Sequence, residues 1–253
     1  TKVLTRDEAA QMIWNAVQAT MIERTSSVGR NDGSIRDSYA PYGDRAHTLL
    51  RETFGAKKEI TYLTGISFNS DNSKFTYSFD SDAKMGAPVA AADAYDDVAL
   101  STTNDYSSLF GQKVSVVYKV EGSKHTVYGI YAEGTVLASG VLGDITDTDG
   151  NALIATDTDT EIKIGKVKYK LEKAAYDAAP ANAVNAYTYA GSTTPATDTT
   201  LANVAANQAA YYTFDAIDND ADGKIDCFVV HPYTVSKVTY VGSTSITATN
   251  AYS

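Results

Sequence analysis

The run Asp218-Asn219-Asp220-Ala221-Asp222-Gly223-Lys224-Ile225-Asp226 places carboxylates at its first, third and fifth positions, a glycine at its sixth and an acid at its ninth. Hard oxygen ligands crowded into so short a stretch repel one another until a dication neutralises them, and the glycine allows a sharp turn. The pattern matches the first part of a calcium loop, which makes Asp218, Asp220, Asp222 and Asp226 candidate ligands and calcium a candidate structural cofactor. A bidentate glutamate at the twelfth position is missing, because Val229 stands there. The bland alternative is a solvated Asp-Gly hairpin turn. Asp144, Asp147 and Asp149 before Gly150-Asn151, with the acidic run 157–161 nearby, form a weaker version with no glycine in phase.

The loop joins two stretches of strand character, so the elements that must hold it are β and not the helices of an EF-hand. Tyr, Thr, Ser, Ala and Val are plentiful, and 18 Tyr against 7 Phe suits half-exposed sheet. Hairpins are expected for 60–68 with 74–79, for 114–120 with 125–131, and within 211–230. Thr135-Val136 and Val141-Leu142-Gly143 are echoed 99 residues on by Thr234-Val235 and Tyr240-Val241-Gly242, and Ile60-Thr61-Tyr62-Leu63 resembles Val238-Thr239-Tyr240-Val241. Such self-similarity predicts tandem β units over 58–138 and 139–237, with the first strand of a third at 238–253. The fold class expected is mainly β, a short N-terminal helical segment followed by small barrel or sandwich units, with an OB-like barrel preferred.

Two segments poor in large apolar residues, 86–105 and 174–210, read as surface inserts. Ser26 to Pro41 reads as a linker within a region 26–57 that ends in a short helix. That helix has Asp44 as its N-cap, a stripe of Ala46, Leu49, Leu50 and Phe54, and Gly55 as its left-handed stop.

Residues 1–25 open with Thr5-Arg6-Asp7-Glu8-Ala9-Ala10-Gln11-Met12-Ile13. The Thr5 hydroxyl can cap the amide of Glu8 while Glu8 reaches back, and Ala9, Ile13, Ala16, Val17 and Thr20 recur at helical spacing. This wording resembles the closing helix of an S-layer homology motif, Thr-Arg-Ala-Glu followed by an Ala-Ala-x-Met/Leu-Ile/Leu run, with Asp7 where alanine is usual. The resemblance covers residues 1 to 22. It implies a bacterial cell-wall anchor in which Arg6 contacts an anionic, pyruvylated wall polysaccharide, a role suited to the planar fork of a guanidinium.

A net charge of −10 from 31 acidic and 21 basic side chains argues against nucleic acid and anionic membrane as partners. No apolar run approaches a membrane span. Cys227, the single cysteine, lies in an apolar strand and reads as a buried thiol of raised pKa. His47, His125 and His231 fall in separate elements, and the chain has no HExxH, GxSxG, P-loop or strand-borne GxGxxG motif. No catalytic residue is assigned. With the resemblance, these features imply a structural surface-layer or layer-associated protein on the outside of a Gram-positive cell. It would act by self-assembly through homotypic lattice contacts. The alternative is a wall-anchored adhesin or carbohydrate-binding spacer, for which Tyr39, Tyr42, Tyr62, Tyr77, Tyr118, Tyr128 and Tyr131 would supply aromatic platforms.

Overall fold

In a computed structural model of the chain, residues 4–43, 47–91, 93–95, 99–150, 161–172, 185–189, 197–200, 211–232 and 236–250 are described. The protein is mainly β, with 53% of the described residues in strands against 13% in helices. Its backbone divides into two compact units, 1–58 with 117–129, and 59–116 with 130–253.

In the first unit, helix α1 (Arg6–Gln18) begins with the expected capping box, the Glu8 amide donating to Thr5 Oγ1 at 3.2 Å and the Thr5 amide to Glu8 Oε2 at 2.9 Å. The packed side differs from the expected stripe. Trp14, the side chain with most surface to hide, packs on Leu50, Ala56 and Val117, while Ile13 and Ala16 face solvent. The stretch 26–41, read as a linker, instead belongs to a hairpin of β1 (Ile22–Gly29) and β2 (Ile35–Pro41), closed at Gly33 with φ +82°. Most of its side chains are exposed, so it carries no apolar alternation by which sequence could reveal it. Helix α2 (Leu49–Phe54) is capped by Thr48, whose Oγ1 accepts from the Arg51 amide at 3.3 Å, and stops at Gly55 with φ +63°. Asp44 and Ala46, expected within this helix, lie outside the described residues.

The second unit contains most of the sheet. Strands β3 (Ala56–Asn69), β4 (Lys74–Asp80), β5 (Leu100–Thr102), β6 (Lys113–Glu121) and β7 (Lys124–Ala132) are hydrogen-bonded in the order β5-β4-β3-β6-β7, and residues 56–58 and 117–129 of these strands belong to the first unit. Both expected hairpins lie among these strands. The segment 86–105 is not merely surface, for it supplies β5 and buries Tyr95 and Leu100. After β8 (Thr135–Val141), strand β9 (Ile145–Thr146) pairs with β10 (Glu161–Ile164), which pairs in turn with β11 (Val167–Lys170).

The remaining strands are β12 (Asn185–Thr188), β13 (Thr197–Thr200), β14 (Thr213–Asp218) and β15 (Cys227–His231), which with β8 form a second five-stranded sheet in the order β13-β12-β15-β14-β8. The low-complexity stretch 174–210 thus contributes an inner strand, β12, parallel to β15 and buried at Asn185, Ala186 and Tyr187. Alanine fits there because Phe214 and Phe228 of the same core supply the bulk. Strands β16 (Ser236–Val241) and β17 (Ile246–Asn250) pair as a separate ribbon. The sheets are open ones, and no barrel closes among the described residues. No helix among them is long and apolar enough to cross a membrane.

Strand β15 is buried on both faces. Phe228 and Val230 enter the core with Phe214, Ile162 and Ile225, whereas Val229 meets Gly111 of the first sheet's loop and the Cys227 thiol points to the Gly111 carbonyl at 3.8 Å. This explains its continuous apolar run, since two-sided burial removes the alternation of a half-exposed strand. Burial also pushes the Cys227 thiol well above its usual pKa.

Gly134 shows how tight this packing is. A Cβ there would stand 2.2 Å from Asn219 Oδ1 and 3.3 Å from the Asp218 carbonyl oxygen. Gly134→Ala is expected to dislodge a buried hydrogen-bonded amide and cost about 2–3 kcal/mol, read as a lower denaturant midpoint with unchanged slope.

Candidate metal centre

The β14–β15 hairpin delivers the acidic loop. Asp218 ends β14 with its side chain buried, and its carboxylate organises the turn. Oδ1 accepts from the amides of Asp220 at 3.2 Å and Ala221 at 2.7 Å, and Oδ2 from Gly223 at 2.9 Å. Drawing these amides onto one carboxylate bends the chain through the left-handed region at Gly223, φ +82°, and also at Ala221, φ +65°. For alanine that conformation costs on the order of 1 kcal/mol, which the bonds to Asp218 offset. Asp220 Oδ1 and Asp222 Oδ1 each accept from the amide two residues on, at 3.1 and 2.8 Å.

Ligand atoms of Asp218, Asp220 and Asp222 lie within 4.8 Å of one another, with Asp218 buried and the other two exposed. The predicted alternation therefore gathers three carboxylates. Asp226, the fourth expected ligand, stands apart from that tight group but within its field. It is 2% exposed, its Oδ2 accepts from the Asn219 amide at 2.6 Å, and its Oδ1 is buried with no hydrogen-bond partner among the described residues. Burial pushes its pKa up to about 7, the Asn219 amide opposing and the charges of Asp220, Asp218 and Asp222 adding to the rise.

A carboxylate kept out of water, short of one partner and beside three others, is the environment that a hard dication relieves. The loop's own cation reaches only one of these carboxylates and is shared with Glu172. Lys224 Nζ sits 2.7 Å from Asp222 Oδ2 and also bonds Glu172, which raises the lysine pKa and lowers that of Asp222.

Sequence reading missed Asn219. The second position of such a loop is ordinarily a spacer, yet here the side chain turns inward and is 2% exposed. Its Nδ2 donates to the carbonyls of Met85 at 2.6 Å and Gly111 at 3.1 Å, and its Oδ1 accepts from the Lys113 amide at 2.7 Å. An amide flanked by acids and set between two apolar strands was the available signal. Elsewhere Arg6 is exposed on α1. Of the weaker acidic group, Asp147 Oδ1 accepts from the Asp149 amide at 2.9 Å, and residues 151–160 fall outside the described set. Among the seven candidate platform tyrosines, Tyr62, Tyr77 and Tyr118 are buried, and Tyr39, Tyr42, Tyr128 and Tyr131 are exposed.

Two substitutions separate a ligand from a bystander. Asp226→Asn keeps an acceptor for the Asn219 amide but removes the buried charge, so the metal-free protein should gain stability while calcium affinity falls about tenfold or more, measured by paired melts and calorimetry. Lys224→Met removes a competing cation, and calcium should then bind at least about threefold tighter at low ionic strength, with the gain shrinking in salt.

No protein-family model matches the chain, and no curated protein or solved structure matches it.

Proposed function

We propose that this chain is a calcium-stabilised structural segment of a bacterial surface layer or of a protein associated with one, working outside the cell by assembly and not by catalysis. The observation that carries the reading is the Asp218–Asp226 loop, whose buried Asp226 Oδ1 has no hydrogen-bond partner among the described residues. A scaffold in contact with millimolar calcium can use the ion in place of a larger core, because binding to the folded state alone adds to its stability. The open sheets favour the same reading, since exposed edges can pair with neighbouring copies. The N-terminal resemblance adds the wall, with Arg6 as the contact for an anionic polysaccharide. As an adhesin or glycan-binding spacer the chain would instead use its exposed tyrosines, and Tyr39 and Tyr42 of the first unit favour that second reading.

Electron microscopy of the purified chain in about millimolar calcium, and again with chelator, decides between these. Ordered sheets or filaments are expected with calcium and dispersed particles without it. Dispersed particles in both conditions, together with glycan binding lost on Tyr39→Ala or Tyr42→Ala, would replace the lattice with the binding module.

A further inference from the structure

Asn219 sits between two candidate ligands, and it is also where the loop is tied to the rest of its unit. Its main-chain amide holds Asp226 Oδ2, while its side chain bonds the main chain at Met85, Gly111 and Lys113. Two glycines make room for it. A Cβ on Gly86 would meet Asn219 Cβ at 3.1 Å, and one on Gly134 would meet Asn219 Oδ1 at 2.2 Å. The segments gathered in this way come from residues 85–134, about a hundred residues before the loop in sequence. Three hydrogen bonds to a buried primary amide form a clamp with almost no slack, because each bond broken leaves a buried polar group unsatisfied.

The same clamp is loaded by charge. With four carboxylates within nine residues and Lys224 engaged by Asp222 and Glu172, an ionised Asp226 is repelled by its acidic neighbours. Any movement of Asp226 pulls on the Asn219 amide bonded to it. A dication held by Asp218, Asp220 and Asp222, with Asp226 Oδ1 drawn toward it, reverses that force.

We propose that cation occupancy of the loop locks the Asn219 clamp, so that the ion fixes the packing of β15 against residues 110–113 and not the loop alone. This rests on the loop being a dication site. The ion then acts as a staple between two parts of the second unit that are remote in sequence. Opening the clamp requires giving up the ion, so the clamp becomes harder to open by the factor 1 + [Ca²⁺]/Kd.

Hydrogen exchange by mass spectrometry on the full 253-residue chain tests this, with terbium luminescence and calcium calorimetry as independent readouts of binding. At calcium about a hundredfold above Kd, exchange at the Lys113 amide and across 110–116 should slow by about tenfold to a hundredfold. Asp220→Ala, at an exposed position, should lose affinity and the calcium-dependent slowing together, and its metal-free exchange at 110–116 should be no faster than the wild type's, because one repelling carboxylate is gone. Asn219→Ala should retain terbium binding yet show no calcium-dependent slowing at 110–116. Should that variant not fold, the wild-type exchange and Asp220→Ala decide. Binding without slowing at 110–116 in the wild type would overturn the coupling and leave the site standing. No terbium signal together with no calcium heat would overturn both.

Discussion

The second unit is organised around one buried primary amide. Asn219 Nδ2 and Oδ1 are satisfied by main chain from Met85, Gly111 and Lys113, and its own backbone amide by Asp226. Such a group is costly to bury and costly to release, so it fixes where the β14–β15 hairpin must lie. The small residues follow from it. Gly134 has no room for a side chain beside Asn219, and Gly111 approaches Val229 so closely that a Cβ would stand 2.4 Å from a valine methyl. At that point Gly111 also adopts φ +79°, a conformation in which other residues are strained.

With the hairpin fixed, its burial accounts for the rest of the sheet. Both faces of β15 are covered, and its neighbours β12 and β14 bury Ala186, Phe214 and Ala216 in the same core as Phe228 and Val230. Large aromatic and small side chains alternate between adjacent strands, which is how a sheet this poor in leucine still fills its interior. On the face of the hairpin that carries Cys227 and Val229, His231 Nε2 lies 2.9 Å from Asp215 Oδ2, and Ser139 Oγ donates to Asp215 Oδ1 at 2.5 Å. The hydrogen bond from His231 leads the causes that hold the Asp215 carboxyl below its usual pKa. The serine bonds the acid and not the imidazole, so the three do not form the relay that nucleophilic hydrolysis requires.

Electrostatics and packing converge at the loop. Asp218 spends its carboxylate on three backbone amides, Asp222 shares Lys224 with Glu172, and Asp226 is left with a buried oxygen. Each choice alone is a common turn device. Together they produce a site whose metal-free form carries internal repulsion, and this is the physical basis of the calcium dependence proposed for a surface scaffold.

The sequence by itself determined the local features. The capping box at Thr5 and Glu8, the left-handed stop at Gly55, the hairpins at 69–74 and 121–124 and the turn at Gly223 depend on residues within a few positions of one another. The same is true of the gathering of Asp218, Asp220 and Asp222 by alternate spacing. Mainly β composition was legible for the same reason, because Tyr, Thr and Val favour a pleated surface wherever they stand. Tertiary structure decided what local pattern cannot encode. The β1–β2 hairpin lacks a buried face to mark it, the low-complexity stretch around Asn185 became an inner strand, and the segments matching at a 99-residue offset took different pairings. Of these, β8 lies beside β14, whereas β16 pairs with β17. The inward turn of Asn219 and the isolation of Asp226 Oδ1 belong to the same class. Both depend on backbone from residues 85–134 arriving at the loop, and long-range burial, unlike a turn or a cap, leaves no signature in the neighbouring residues.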